Sequence, residues 1–486
     1  MKKISILLLS LCLLFVASCD GFLDKQPTDA ASSESAIVNV TDAQIFMNRI
    51  MRGMTSTSYY GRLMFLYADA KGGDLALQAQ GRGDDALYVF SHVPTSAYGG
   101  FWNQIYACLM QVNVLIENVD RIIDEGNSSA ALLTVKGQAL TLRALMHFDL
   151  VRLYGKPYTM DRSSLGVPLA LEPIQADAQP TRASVDEVYT QIIKDLRDAE
   201  PLFATRTRVN GYVNYFGNQA ILARAYLYME RYTEALAAAE NVINSNVYTL
   251  YTNANWVGSW RLQHGTESIL ELAMNVGEAD AGTGSLGYYL RRANHGAANL
   301  GNFVCSDYLL ERMYQDPEDV RLGIRAADSY LVPRPHGCCY KWSGDINLGG
   351  DGKGSATAVN IKLIRLSEVV LIAAEAALGA NNREKAADYL NRIRRRAPNL
   401  EPATAATVDL DMIADERSKE LSSEGHRFFD MMRWNRSVTF NDDIMVTQTI
   451  ITHRAKTIDR TFHRTILPIS QDEMNANPAM VQNPGY

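Results

Sequence analysis

The chain has 486 residues, of which 47% are hydrophobic and 21% charged, and this ordinary globular composition excludes a mostly disordered or collagen-like protein. Single hydrophobic cores stop growing at roughly 250–300 residues, so several domains or an extended repeat array are expected. The formal charge is −7, and loss of Lys2 and Lys3 with a leader would make it more negative. A phosphate-binding surface of the kind that nucleic acid requires is therefore not expected.

The first eighteen residues have the layout of an export signal, with Lys2 and Lys3 before an apolar run from Ile4 to Val16. That run is too short to span a bilayer. The sequence Val16-Ala17-Ser18-Cys19 resembles a bacterial lipobox, in which Cys19 is acylated and becomes the mature N terminus. Acyl chains on Cys19 would anchor the protein to a membrane without a transmembrane helix. The alternative is an ordinary secretory signal that happens to be followed by a cysteine.

Residues 19–36 are predicted to form a tether, because they are polar and rich in Pro, Asp, Ser and Thr. Beyond them, seven segments have apolar residues at three- and four-residue spacing, which indicates amphipathic helices and a mainly α protein. These segments are Phe101–Ile123, Leu132–Tyr154, Val185–Ala199, Phe216–Met229, Tyr232–Asn244, Ile361–Leu378 and Arg383–Arg396. One strand is predicted at Ser268–Ala273.

The sequence signals that define a helix are clearest at Val185–Ala199. Ser184 and Glu187 form a capping-box pattern at its start, and Pro201 prevents its continuation. The apolar residues between them lie on one helical face. The sequence therefore predicts both ends of this helix and its buried face.

Two pairs of predicted helices look like repeats. Leu222–Tyr228 followed by Arg231–Leu236 is similar to a tetratricopeptide unit, in which small alanines allow two antiparallel helices to approach closely. Glu368–Leu378 followed by Arg383–Leu390 has the same placement of small residues. An irregular helical bundle is the alternative. We favour repeats because both the period and the small-residue positions match in two places.

The repeat-like pairs are expected within about 101–154, 185–245 and 361–434. The parts at about 55–100 and 249–360 are expected to be rich in loops, and the second contains many Gly, Asn, Trp and Tyr residues. Long loops on a helical scaffold often carry the function of a protein.

A series of short motifs in a fixed order resembles the SusD/RagB family of nutrient-binding outer-membrane lipoproteins of Bacteroidetes. Single motifs are weak, but their order and spacing along the whole chain are highly specific. The motifs are Cys19–Asp24, Trp102–Tyr106, Leu142–Ala144 with Tyr154-Gly155, Gly166–Leu169, Ile364–Glu368, Ala374–Ala376, Asn391–Arg394, Glu416–Leu421, Glu424–Arg427, Asp430–Trp434, Leu467–Ile469 and Asn483–Tyr486.

The resemblance implies about four tetratricopeptide-like helix pairs packed against a loop-rich half with a few short strands, in a single body over residues 37–486. It also implies a lipid anchor in the outer membrane, facing the cell exterior, and a SusC-like TonB-dependent barrel transporter as partner. In this family the protein captures an oligosaccharide, or a peptide in some relatives, and delivers it to the barrel. No chemistry is performed and no cofactor is implied.

Glu416, Glu420 and Glu424 lie at successive four-residue steps and could be read as paired carboxylates for glycoside hydrolysis. Alternating charges on a helix more often form ion pairs, and we expect the three glutamates to pair with the nearby Arg417, Arg427 and Arg433. The sequence has no metal-ligand spacing among its cysteines or histidines and no nucleophile motif. No catalytic residue and no metal site are therefore predicted.

Sugar recognition requires flat apolar surfaces against the C–H faces of the rings, with hydrogen-bonding groups around them. Aromatic residues in loops are therefore the candidates for a binding platform. The predicted ligand-binding residues are Arg82, Tyr98, Tyr288, Tyr289, Tyr340 and Trp342. The other tryptophans lie in helical motifs or beside the predicted strand, where packing is at least as good an explanation.

Two classes of function remain open on the sequence alone. The first is a glycan-binding uptake lipoprotein, which the loop aromatics favour. The second is an oligopeptide-binding uptake lipoprotein or a helical-repeat module for protein interaction, because tetratricopeptide grooves elsewhere bind peptides. In an exported protein, Cys305 could also form a disulfide with Cys338 or Cys339.

Overall fold

The computed structural model of the protein describes residues 37–81, 83–96, 98–175, 177–277, 282–290, 301–328, 334–342, 350–355, 357–445 and 451–486. Helices dominate this part of the chain. They are α1 (Val40–Met54), α2 (Leu63–Lys71), α3 (Asp85–Val89), α4 (Gly99–Asp124), α5 (Ala130–Tyr154), α6 (Val185–Ala199), α7 (Tyr215–Tyr228), α8 (Tyr232–Ile243), α9 (Asn253–Ser259), α10 (Leu286–Leu290), α11 (Asp307–Met313), α12 (Leu366–Gly379), α13 (Arg383–Arg394), α14 (Leu410–Glu420), α15 (Arg427–Arg433) and α16 (Gln471–Ala476).

The strands are short and pair as antiparallel two-stranded sheets. They are β1 (Leu75–Leu77), β2 (Ser268–Leu272), β3 (Phe303–Cys305), β4 (Arg325–Asp328), β5 (Arg334–Cys339), β6 (Ile361–Arg365), β7 (Val438–Thr439) and β8 (Thr457–Ile458). The pairs are β1 with β3, β2 with β6, β4 with β5, and β7 with β8. Two of these pairs, β1 with β3 and β2 with β6, join segments that are distant in the chain.

The helices α4 to α8 stack in chain order, each against the next, and α8 then packs against α12, which packs against α13. This nearest-neighbour arrangement is that of a helical repeat array. Small residues allow the close approaches: a Cβ on Gly379 of α12 would lie 2.4 Å from the ring of Tyr232 at the start of α8. The prediction of tetratricopeptide-like helices packed against a loop-rich half is confirmed.

The helix α6 begins and ends at the predicted residues. The Ser184 hydroxyl accepts a hydrogen bond from the backbone N–H of Glu187, and the Glu187 carboxylate accepts one from the backbone N–H of Ser184. This capping box satisfies backbone donors that the first turn leaves without helical partners. Val188, Ile192 and Leu196 are fully buried on the inner face.

One predicted helix is wrong in its first turn. The segment from Ile361 to Arg365 forms the strand β6, paired antiparallel with β2, and the helix α12 begins only at Leu366. Both strands are buried along their whole length. A strand of five residues that is buried on both faces has too short a pattern to be distinguished from a buried helical turn, which explains the error.

The large hydrophobic core extends from Ile37 to Met480 and includes side chains of the repeat helices and of the loop-rich region. A smaller cluster beside it contains Trp256, Trp260 and Tyr340. Within the described residues, no helix combines the length and the apolar character needed to cross a bilayer. The four cysteines in this part of the chain, Cys108, Cys305, Cys338 and Cys339, are buried free thiols.

Candidate functional site

Three of the predicted ligand-binding residues, Tyr98, Tyr288 and Tyr289, lie together around an ion pair. Asp84 directly precedes α3, and its Oδ2 lies 3.0 Å from Nε of Arg62. Its Oδ1 accepts a hydrogen bond of 3.4 Å from the hydroxyl of Tyr98, which directly precedes α4. These five residues, Arg62, Asp84, Tyr98, Tyr288 and Tyr289, are called the loop cluster below.

The two tyrosines of α10 reach the same ion pair from another segment. The guanidinium of Arg62 lies 4.9 Å from the ring centroid of Tyr289, and its Nη1 donates to the carbonyl of Gly284. The hydroxyl of Tyr289 lies near the carboxylate of Asp84, whose charge acts on the pKa of that hydroxyl. The rings of Tyr288 and Tyr289 meet edge to face, with centroids 5.8 Å apart. Arg62 and Asp84 therefore hold Tyr98 and Tyr289, and Tyr288 packs against Tyr289.

The protonation of the cluster follows from its burial. Burial raises the pKa of Asp84, and the Arg62 guanidinium offsets only part of this effect. Burial, followed by the proximity of Asp84, raises the pKa of Tyr289 to about 12. The same two causes raise the pKa of Tyr98 further. Both hydroxyls therefore stay protonated at neutral pH and can act as hydrogen-bond donors.

A group of polar side chains, His92, Lys71 and Tyr486, packs beside Tyr98. The ring of His92 meets that of Tyr98 edge to face at 6.5 Å, and its Nε2 lies 3.2 Å from Nζ of the buried Lys71. Burial lowers the pKa of Lys71 well below its usual range. On its other side, His92 Nδ1 lies 3.2 Å from the hydroxyl of Tyr486. The ring of Tyr98 thus packs on a histidine whose other side contacts the last residue of the sequence.

The tyrosines of the loop cluster differ in exposure. Tyr98 and Tyr289 are 8% and 7% exposed, whereas Tyr288 is half-buried. The buried pair presents little more than an edge to solvent. Tyr288 therefore carries the ring surface that a ligand could contact.

Two members of the predicted platform, Tyr340 and Trp342, are not exposed, and that prediction is wrong. Tyr340 is fully buried in the small cluster with Trp256 and Trp260. The Trp342 ring stacks on Phe65 at 5.0 Å, and its Nε1 donates to the carbonyl of Ser423 at 2.6 Å.

The physical reason is the residue between them. The Nζ of Lys341 donates to the carboxylate of Glu424 at 2.6 Å and to the carbonyls of Glu420 and Ser422. These buried charge-assisted hydrogen bonds draw the whole 340–342 segment into the core. Two further predicted residues, Arg82 and the lipid attachment residue Cys19, lie outside the described residues.

Sequence reasoning missed Arg62 and Asp84. Neither belongs to a periodic segment, and the two residues are far apart in the chain. The signal that could have found Asp84 is the run Gly81-Arg82-Gly83-Asp84-Asp85, in which glycines and two adjacent aspartates mark a turn. For Arg62 we find no comparable signal.

Glu416, Glu420 and Glu424 form a buried ion-pair network, as predicted, but none of the three arginines predicted as their partners pairs with them. Glu416 pairs with Arg321 at 2.9 Å and with Lys419 at 2.7 Å. Glu424 accepts two hydrogen bonds from Arg365, and Glu420 lies 3.4 Å from the same arginine. All three glutamates are buried. Carboxylates that are closed off from solvent and saturated with cations do not form an accessible catalytic pair.

The arginines predicted to pair with these glutamates have other partners. Arg417 donates to Asp430, Arg433 to Glu375 and Asp430, and Arg427 lies 3.5 Å from Asp74. The described residues contain no group of three or more His, Cys, Asp and Glu side chains arranged to hold a metal ion.

Comparison with known proteins agrees with this architecture. The family model described as "SusD family" matches residues 338–486, and the one described as "Starch-binding associating with outer membrane" matches residues 21–228. A SusD superfamily protein of Bacteroides thetaiotaomicron is 31% identical, with a TM-score of 0.85 over 92% of this chain and 100% of that chain. A putative sugar binding protein of Bacteroides vulgatus is 32% identical, with a TM-score of 0.84 over 93% and 99%.

More distant relatives also match over most of the chain. The SusD-like protein P2 of Formosa agariphila is 26% identical, over 89% of this chain and 91% of its own. A laminarin binding SusD-like protein is 22% identical, with a TM-score of 0.70 over 93% of this chain and 100% of that chain. The helical repeats packed on a loop-rich half define the class, and the chain belongs to the SusD/RagB family.

Proposed function

We propose that this protein binds an oligosaccharide or polysaccharide at the loop cluster and delivers it, without chemical change, to a SusC-like TonB-dependent transporter of the outer membrane. The observation that carries the proposal is the loop cluster itself. The partly exposed ring of Tyr288 packs against Tyr289, which with Tyr98 adjoins the ion pair of Arg62 and Asp84.

The chemistry of such a cluster suits a sugar. An aromatic ring contributes apolar area to stack on the C–H face of a pyranose, at about 25 cal/mol per Å² buried. Charged and hydroxyl groups beside it can accept from and donate to ring hydroxyls with fixed geometry. Peptides also bind to aromatic rings, but they have no array of neighbouring hydroxyls with which these polar groups could form hydrogen bonds.

Relatives support the same class of ligand. The B. vulgatus relative is described as a putative sugar binding protein, and the more distant structure binds laminarin according to its name. The family description that matches the N-terminal half mentions starch binding and association with the outer membrane. None of these names refers to hydrolysis, which supports a binding protein rather than an enzyme.

We further propose that acyl chains on Cys19 anchor the protein and that residues 20–36 tether the body at the cell exterior. Changing Cys19 to Ala should then move the protein from the membrane fraction to the soluble fraction. If the variant still sediments with outer membrane in cells that lack the transporter partner, the lipid assignment is wrong.

The binding proposal is tested by calorimetric titration of the protein truncated after Cys19 against matched panels of neutral oligosaccharides and oligopeptides. Binding confined to one class of glycan supports the proposal. Binding confined to peptides would replace it with the oligopeptide-uptake alternative. Co-purification of the transporter with the tagged lipoprotein from membranes tests the delivery partner separately.

A further inference from the structure

A second open groove lies apart from the loop cluster. It runs between the C-terminal half of α1, the loop before α7 and the residues that follow β2, and it encloses about 1430 Å³ of empty space including its open mouth. We call it the α1 groove. Its lining residues are Asn48, Arg49, Met51, Arg52, Asn210, Gly211, Tyr212, His264, Ala273 and Asn275. None of these residues belongs to the loop cluster.

The α1 groove is positively charged on a protein that is negatively charged overall. Arg49 and Arg52 line it, and none of its described lining residues is acidic, whereas the chain as a whole has a formal charge of −7. Both arginines are exposed. In the described part of the chain Arg49 forms no ion pair, and its nearest aromatic contact is Phe46 at 5.7 Å. A guanidinium without a carboxylate, at the edge of a groove, is available to an anionic ligand.

The groove also has amide groups on each of its walls. Asn48 lies on α1, Asn210 on the loop before α7, and Asn275 beyond β2. The Tyr212 hydroxyl hydrogen-bonds the side-chain oxygen of Asn48, which ties two of these walls together. Each asparagine amide offers both donors and an acceptor, which is what a row of sugar hydroxyls requires.

The wall opposite α1 is held rigidly. Arg208 donates to the side-chain oxygen of Asn210 at 3.1 Å and to the carbonyl of Gly265 at 2.7 Å. Gly211 has a φ of +80°, and a Cβ there would lie 3.9 Å from the ring of His264. The backbone conformation, rather than lack of space, therefore selects glycine at the turn that places Asn210 and Tyr212 in the groove.

We propose that the α1 groove binds an acidic polysaccharide, with a uronate carboxylate or a sulfate ester on Arg49 and Arg52 and sugar hydroxyls on the asparagines. Guanidinium groups bind both anions in a forked geometry. A phosphate headgroup of a lipid would use the arginines but not the three amides that line the walls of the groove. The groove therefore fits a saccharide chain better than a membrane surface.

The test is calorimetric titration of the full mature lipoprotein, held in an uncharged detergent. The probes are oligogalacturonate, sulfated dextran oligomers, neutral dextran oligomers of the same length, and glycerophosphoglycerol as a soluble lipid headgroup. The variant is Arg49→Gln, and the matched control is Arg395→Gln, an exposed arginine just after α13. Asn275→Ala probes the opposite wall, and melting temperatures show whether each variant is folded.

We expect wild type to bind at least one acidic saccharide more tightly than neutral dextran. Arg49→Gln should weaken that binding about tenfold at low salt, since a charge-assisted hydrogen bond is lost, and Asn275→Ala should weaken it as well. Arg395→Gln should behave like wild type. The oligogalacturonate and sulfated dextran arms decide which anion is bound.

Three results would overturn the proposal: equal binding of acidic and neutral oligomers, an equal loss in Arg395→Gln, or binding of glycerophosphoglycerol as tight as that of the saccharides. The inference stands separately from the proposed function. Arg49→Gln should leave the binding of a neutral glycan at the loop cluster unchanged. The two proposals are therefore tested by separate measurements, and either one can be contradicted without the other.

Discussion

The Nε atom of Arg62 lies 3.0 Å from Oδ2 of Asp84, although α2 and β1 separate the two residues in the chain. The same carboxylate contacts Tyr98, and the same guanidinium lies against the ring of Tyr289. One ion pair thus connects three segments of the loop-rich half. Its partial burial makes it worth more than a surface pair, because water screens it less.

We expect Asp84→Asn to weaken glycan binding about tenfold, since the amide keeps the shape of the carboxylate but loses the charge that orients Arg62. Calorimetric titration measures the change. Asp161→Asn is the matched control, because Asp161 also lies 3.0 Å from a cationic partner, Lys156, but outside the loop cluster. Unchanged affinity in Asp84→Asn would show that the ion pair does not organise the site.

Tyr340→Ala should destabilise the fold by about 3–5 kcal/mol, the range found when a large buried aromatic residue is truncated. Tyr340 is fully buried among its neighbours, so the loss of stability comes from lost packing contacts. Chemical denaturation measures it, with Tyr314→Ala as control because Tyr314 is 41% exposed. A Tyr340→Ala variant with normal stability and reduced glycan affinity would restore Tyr340 to the binding platform.

The buried pair of Glu368 and His426 predicts how acid destabilises the protein. Burial alone would raise the pKa of Glu368, but two hydrogen bonds of 2.6 Å from Arg224 outweigh it and lower the pKa to about 2. Burial lowers the pKa of His426 to about 4. Both groups bind protons more readily when unfolded, so their contributions to stability disappear as the pH falls.

The free energy of unfolding should therefore decrease from about pH 6.5 towards pH 4 as His426 is forced to protonate, and decrease further from about pH 4.5 towards pH 2 as Glu368 does. Denaturation curves across this range test the prediction. His426→Gln should make the first phase smaller but not remove it, because burial also lowers the pKa of His92 and lowers that of His147 to about 3. The second phase should remain. An identical pH profile in wild type and His426→Gln would contradict the assignment.

Purified protein incubated with a polysaccharide that it binds should release no reducing ends. The three glutamates that resemble a hydrolytic site are buried and paired with Arg321, Arg365, Lys341 and Lys419. Glu416→Gln should instead lower stability by about 3–5 kcal/mol, because it leaves buried cations without their partner. Turnover in wild type that is lost in this variant would overturn the ion-pair interpretation.

The sequence predicted the features that depend on neighbouring residues. The capping box at Ser184, the span of α6 and the alanine-mediated helix pairs are all encoded within a few turns. Strand β6 was missed because its identity depends on pairing with β2, about ninety residues earlier. Glu416, Glu420 and Glu424 were recognised as ion-paired, but most of their partners come from distant segments that no local pattern specifies.

The candidate site also combines features that neighbouring residues predict with features that depend on distant segments. An aromatic run such as Tyr288-Tyr289 in a glycine-rich loop indicates a binding region from sequence alone. Whether a given ring is exposed depends on what the fold places over it. Tyr340 and Trp342 were misassigned because Lys341, between them, is held by Glu424 from the far end of the chain.

The most direct test of the central claim is a titration of Tyr288→Ala with the neutral oligosaccharide that wild type binds best, accompanied by its melting temperature. Tyr288 presents the partly exposed ring of the loop cluster, so its truncation should weaken binding by about 1–3 kcal/mol, a tenfold loss or more. The melting temperature should change little, and Tyr314→Ala, a matched exposed tyrosine, should bind like wild type. Wild-type affinity in Tyr288→Ala would contradict the account, since the glycan would then bind elsewhere.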